Sequence, residues 1–112
     1  MKPSERVSAR RQMDKRLSAL GNIEALARPS RGWVKAIREA LGMTSAQLAK
    51  RMGVSQPRVF KLEQAETRGA VTIETLERAA RALDCRFVYA FVPRQPLDTL
   101  IEARALDLAK KR

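Results

Sequence analysis

The 112-residue sequence contains no histidine and only one cysteine, Cys85. The lack of histidine removes the most common general base and both the Ser–His and the Cys–His nucleophile pairs, so an enzyme is not expected. A single cysteine excludes an internal disulfide and agrees with a reducing compartment. With no imidazole and one thiol, a zinc site is not expected either, and no cofactor is predicted.

Long apolar runs are also missing. No stretch approaches the ~18 consecutive apolar residues of a membrane-spanning helix, so a membrane partner is not expected. Residues 1–16 lack the apolar segment of a signal peptide, and the sequence therefore predicts a cytoplasmic protein. The length is that of one domain, with little room for a second core.

Basic residues are abundant and unevenly distributed. The net charge of +11 points to a polyanionic partner. Residues 1–31 hold eight Lys or Arg and three acidic residues, a net +5. A basic helix is predicted over residues 4–27, interrupted near Gly21, and its basic face either contacts phosphate or is simply solvated. Arg28 and Arg31 of the following linker are candidates for a minor-groove arm.

The most informative pattern covers residues 47–63, which are predicted to form two short helices joined by a tight turn. Leu48 lies on an inward face of the first helix, and Gly53 can adopt the left-handed conformation that ends it. Ser55 is a good N-cap for the second helix, and Pro57 lies in its first turn. This is the logic of a helix-turn-helix, whose second helix enters the DNA major groove. An ordinary helical hairpin with a solvated polar face fits the same pattern.

The outward face of the second helix favours DNA binding. Val59 and Leu62 point inward, and the remaining side chains are typical of base recognition. Glutamine can pair with adenine, lysine with guanine, and proline or an aromatic ring can contact a thymine methyl. The candidate base contacts are Gln56, Pro57, Phe60 and Lys61.

Further helices are predicted on both sides of this hairpin. One covers residues 33–41, with Trp33, Ile37 and Leu41 facing inward. Another covers residues 72–83. A C-terminal amphipathic helix covers residues 97–110. Three segments are therefore expected: a basic helix and linker over 1–31, the helix-turn-helix domain over 32–84, and a dimerisation strand and helix over 85–112.

Residues 85–92 have the sequence pattern of a strand and not of a helix. Aromatic and β-branched residues alternate there with a period of two, which predicts a strand buried on both faces. Its central residues are Phe87, Val88, Tyr89, Ala90 and Phe91. Buried backbone groups are almost always paired, and no other segment is predicted to be a strand. The strand is therefore expected to pair with its copy in a homodimer, which would bind an inverted repeat with half-sites about 34 Å apart.

Residues 33–83 resemble the Xre-type helix-turn-helix domain of lambdoid phage repressors. The resemblance rests on residues 37–44, on 47–49 with 53–56, and on Val59 with 61–63. It implies a mostly α fold: a lambda-repressor-like core with an N-terminal basic helix, one C-terminal strand pairing across a dimer, and a C-terminal helix.

The resemblance also implies roles for individual residues. Bases of double-stranded DNA would be read by Gln56, Pro57 and Lys61. Arg38 and Glu63 fall at positions that pair across the core in phage repressors, which gives them a structural role. The implied phosphate contacts are Thr44, Ser45, Arg58, Gln64 and Arg68.

The whole chain resembles a narrower family, named mobile mystery protein A. That resemblance rests on residues 32–33, 69–72 and 82–86. It implies a regulator encoded beside a Fic-domain protein, in an arrangement like a toxin–antitoxin pair. An alternative function is therefore an antitoxin that neutralises a Fic-type partner and autoregulates its operon. The C-terminal helix would then bind that partner, whereas in a simple regulator it would cap the dimer core.

Overall fold

The computed structural model describes residues 1–111, and Arg112 of the expected C-terminal segment lies outside this range. The described residues form one 3₁₀ helix, Ile23–Leu26, and six α-helices. The α-helices are α1 (Pro3–Ser18), α2 (Trp33–Ala40), α3 (Ser45–Met52), α4 (Gln56–Thr67), α5 (Ile73–Ala82) and α6 (Leu97–Lys110). Within residues 1–111, no helix is both long enough and apolar enough to cross a membrane.

The chain divides into two compact units. One unit is Ala27–Tyr89, and the other combines Met1–Leu26 with the chain from Ala90 onward. The three consecutive segments expected from the sequence, 1–31, 32–84 and 85–112, stay a prediction. The termini share a unit because α1 and α6 contact each other.

The core of the unit Ala27–Tyr89 is built from α2, α3, α4 and α5. Leu48 of α3 and Val59 of α4 are fully buried at its centre. Both lie on the inward faces that the hairpin pattern predicts. The complete set of buried apolar residues is Val34, Leu48, Ala49, Val59, Leu62, Ala79 and Leu83. Because α2 and α5 contribute to this core, they hold the α3–α4 hairpin in place.

The turn between α3 and α4 follows the predicted chemistry with one exception. Gly53 adopts the left-handed conformation, with φ +69° and ψ +33°, and ends α3. Ser55 occupies the N-cap of α4, but its side chain accepts no capping hydrogen bond from the described residues. Pro57 has no N–H to donate, and the N–H of Arg58 bonds the carbonyl of Ser55 at 3.1 Å.

The inward face of α2 differs from the predicted one. Trp33 and Leu41, predicted to face inward, are exposed, whereas Val34 is buried. Ile37 packs against the core as predicted. The helix is turned so that Val34, Ile37 and Arg38 share the face toward α4, where Arg38 meets a carboxylate of that helix.

The second unit pairs α1 with the first turn of α6. The carboxylate of Asp14 accepts a hydrogen bond from the backbone N–H of Leu97 at 2.8 Å. Arg10 forms an ion pair with Asp98 at 3.0 Å. Asp14 thereby caps α6, whose N-cap residue Pro96 has no side-chain acceptor of its own. Residues 101–110 are exposed beyond these contacts.

The strand predicted over residues 85–92 is not formed within residues 1–111. The rings of Phe87 and Tyr89 do stack, with centroids 5.9 Å apart, as side chains two residues apart on one face can. The N–H groups of residues 86–92, however, find no carbonyl partner among the described residues. A strand requires a backbone ladder, and the single chain supplies no second strand.

Most side chains of this segment are correspondingly open to solvent, whereas Phe87 is half-buried. Val88 and Tyr89 are 66% exposed and Phe91 is 89% exposed, and Ala90 is exposed as well. The prediction of burial on both faces is therefore wrong for the single chain.

Candidate nucleic-acid interface

One face of α4 concentrates the polar and basic side chains of the helix. Phe60, with 62% of its surface exposed, lies among them. Glu63 and Glu66 are the two acidic residues of α4, and both are buried on the opposite face. The exposed face therefore carries cations without carboxylates of its own helix. Its exposed residues are Gln56, Pro57, Arg58, Phe60, Lys61, Gln64 and Thr67.

The first turns of α3 and α4 are joined by a side-chain hydrogen bond. Nε2 of Gln56 donates to Oγ of Ser45 at 3.0 Å. A glutamine amide has two N–H donors and one oxygen acceptor. Gln56 therefore keeps one N–H and its oxygen, which are the two groups that a bidentate contact with adenine uses. The contact with Ser45 restricts the side chain before any base is bound.

The N-terminus of α3 is organised by a capping box. Oγ1 of Thr44 accepts from the N–H of Gln47 at 3.1 Å, and Oε1 of Gln47 accepts from the N–H of Thr44 at 2.8 Å. The hydroxyl of Thr44 retains its hydrogen for an external acceptor. The structure thus brings Thr44, Ser45 and Gln56 together. Arg68 lies apart from them, exposed at the C-cap of α4.

Arg38 and Glu63 connect α2 to the inner face of α4. Nε and Nη2 of Arg38 donate to the two carboxylate oxygens of Glu63 at 2.7 and 3.0 Å. Nη1 of Arg38 also donates to the carbonyl of Met43 at 3.0 Å. Hydrogen bonding to Glu63 raises the pKa of Arg38 above its ordinary value, against the opposite effect of burial. This pair supports α4 from behind and is not on the exposed face.

Glu66 holds the other end of α4, a role that the sequence analysis missed. Its two carboxylate oxygens accept from the backbone N–H groups of Trp33 and Val34 at 2.7 and 2.9 Å. Glu66 is only 2% exposed. It thus caps α2 from outside that helix, because Gly32 at the N-cap has no side chain. The sequence carries one signal of this position. Glu66 lies seven residues after the inward Val59, a spacing that places both on the same buried face of a helix.

The linker arginines are engaged within the protein. The guanidinium of Arg28 donates to the carbonyls of Glu66 and Thr67, the last two residues of α4. Arg31 forms an ion pair with Glu39 at 2.7 Å. Arg28 therefore satisfies the carbonyl of Thr67 and is a second donor to that of Glu66, which also accepts from the N–H of Gly69. A minor-groove contact by either arginine would require breaking these bonds.

Comparison with known proteins agrees with this geometry. A family model described as helix-turn-helix matches residues 34–89, half of the chain. The match covers α2 from its second residue and all of α3, α4 and α5. The narrower mobile mystery protein A family is not confirmed by this comparison. Comparison with curated proteins and with solved structures gives no match.

Proposed function

The chain belongs to the helix-turn-helix family of DNA-binding regulatory domains, and we propose that it is a sequence-specific transcription regulator that binds double-stranded DNA through α4. One observation carries the proposal. Both acidic residues of α4 are turned into the protein, so that its exposed face is left basic and polar. A surface of this kind attracts the phosphate backbone and presents donors and acceptors to base edges.

Roles follow from position on this surface. Gln56 and Lys61 read bases, and Pro57 and Phe60 supply apolar contacts to thymine methyl groups. Other polar and basic groups of α3 and α4 and at their ends contact phosphates and set the register of the protein on the duplex. These phosphate contacts are Thr44, Ser45, Arg58, Gln64 and Arg68.

The regulator acts as a homodimer through residues 85–92. The unpaired N–H groups of residues 86–92 and the exposed side chains of Val88, Tyr89 and Phe91 support the proposal, because such an edge is a template for pairing with a second chain. Pairing with its own copy about a two-fold axis forms an antiparallel ribbon. The operator is then an inverted repeat.

Selection of bound sequences from random duplex DNA tests this function. The wild-type chain should enrich one inverted-repeat motif, with half-sites about one helical turn apart. A variant carrying both Gln56→Ala and Lys61→Ala is the control, and it should not enrich that motif. If the wild type enriches no sequence over the variant, sequence-specific binding is ruled out.

A second function, that of an antitoxin, is favoured by one observation. Three turns of α6 are exposed and include the apolar residues Ile101 and Leu108. A Fic-type partner protein would cover this face. Co-expression with a Fic-type protein encoded next to this chain tests the function by growth rate. Protection by the wild type, and none by an Ile101→Glu, Leu108→Glu variant, is the expected result, and toxicity unaffected by the wild type would exclude it.

A further inference from the structure

An open groove of about 460 Å³ lies between α4 and the first half of α5. Thirteen described residues line it, of which three are basic and none is acidic. Arg58 and Lys61 come from α4, and Arg78 comes from α5. The candidate phosphate contacts on α3 and α4 do not include Arg78.

The three cations of the groove are not neutralised. No carboxylate among the described residues forms an ion pair with Arg58, Lys61 or Arg78. The rest of the lining is largely apolar, with Val54 and Leu62 among its residues. Positive charges gathered around one cleft raise the local potential and favour an anion there.

The threonine hydroxyl groups at the start of α5 add a hydrogen-bond donor to the groove. Oγ1 of Thr72 accepts from the N–H of Thr75 at 3.1 Å and donates to Oγ1 of Thr75 at 2.8 Å. The hydroxyl hydrogen of Thr75 is therefore left for another acceptor. Thr72 and Thr75 both line the groove, together with Arg78 one turn further along α5.

We propose that this groove binds a backbone phosphate of duplex DNA, with Arg78 and Thr75 as contacts on α5. The inference rests on the proposed function, since Arg58 and Lys61 belong to the helix that enters the major groove. Backbone phosphates of both strands border the DNA major groove. The protein groove beside α4 is open and can receive one of these phosphates. Arg78 thus widens the contact with the DNA backbone without reading a base.

The test compares Arg78→Gln with Arg81→Gln in the full-length chain. Arg81 lies three residues further along α5 and outside the groove, so both variants lose one charge from the same helix. Binding to specific and to random duplex DNA is measured over a range of salt concentrations. Arg78→Gln should weaken binding to specific and to random DNA. It should also reduce the slope of log binding constant against log salt concentration by about 0.9, the value for one phosphate. Arg81→Gln should keep the wild-type slope, and Arg78→Lys should restore it.

The outcomes separate this inference from the proposed function. If the wild type binds no DNA, both fail. If it binds DNA and Arg78→Gln keeps the wild-type slope, or Arg81→Gln lowers the slope equally, only the groove assignment fails. Inorganic phosphate and ATP are added without DNA as a second arm. Thermal stabilisation that depends on Arg78, with an unchanged DNA salt slope, would overturn the assignment in favour of a free phosphate ligand.

Discussion

Gly32 and Glu66 are in direct contact, and only glycine fits there. A β-carbon placed on Gly32 would lie 2.7 Å from Oε1 of Glu66, closer than real side-chain contacts allow. The backbone of Gly32 also has φ +86°, where other residues are strained. The carboxylate of Glu66, which fits beside Gly32, caps the N-terminus of α2. The start of α2 and the last turn of α4 therefore depend on this one glycine.

Gly32→Ala should therefore destabilise the fold strongly. The added β-carbon displaces the carboxylate and leaves buried N–H groups unpaired, at about 1–3 kcal/mol each. Gly42→Ala is the control for a positive φ, because Gly42 has φ +66° but no atom within 4 Å of the added carbon. Gly32 also has ψ +158°, a region that only glycine adopts readily, so backbone strain adds to its loss. Urea unfolding should show Gly32→Ala to be at least about 2 kcal/mol less stable than Gly42→Ala. Equal losses would mean that the contact with Glu66 is unimportant.

Glu63→Ala should leave the charge of Arg38 buried and unpaired. The two side chains are only 12% and 8% exposed, and removal of one partner of such a pair costs about 3–5 kcal/mol. Glu39→Ala removes the exposed ion pair with Arg31, which contributes about 0–1 kcal/mol. Thermal unfolding of both variants provides the comparison. A Glu63→Ala variant that melts with the wild type would show that Arg38 finds water or another acceptor.

Gln56→Ala should relax base preference at one position of the half-site. Loss of one bidentate base contact costs about 1–3 kcal/mol on the preferred sequence and little on random DNA. Arg58→Gln should instead weaken binding to both sequences and lower the salt slope by about 0.9. Titrations of both variants on matched and mismatched duplexes distinguish these patterns. A uniform loss in Gln56→Ala would reassign Gln56 to the backbone.

Tyr89→Pro should abolish the homodimer, since proline cannot donate a hydrogen bond within a sheet. Tyr89→Val keeps the N–H and the preference for extended structure, and it should remain a dimer. Sedimentation equilibrium at micromolar concentration measures both. A wild-type protein that sediments as a monomer, or a dimeric Tyr89→Pro variant, would exclude pairing through this segment.

The hairpin could be predicted because its signals are local. The periodic apolar residues, Gly53 at the helix end and Pro57 in the next first turn lie within seventeen residues of one another. The observed core and the left-handed Gly53 agree with these signals. The exposed face of α4 follows directly, since residues that do not face the core face solvent.

The contacts of Glu66 could not be predicted in the same way. Its partners, the N–H groups of Trp33 and Val34, lie more than thirty residues away along the chain. Backbone donors carry no sequence signature, so the missing cap of α2 was invisible. The exposure of Trp33 could not be predicted for a different reason. Apolar spacing predicts the buried face of a helix only to within about one residue. No strand forms over residues 85–92 among the described residues, because the single chain supplies no second strand to pair with.

The contacts that hold the end of α4 begin before the segment that the family model matches. That match starts at residue 34, whereas Arg28 bonds the last carbonyls of α4 and Gly32 makes room for Glu66. A fragment cut at residue 34 would lose both, and Glu66 would keep only one of its two N–H donors. A grafted or isolated domain should therefore begin at Ala27, where the larger compact unit begins.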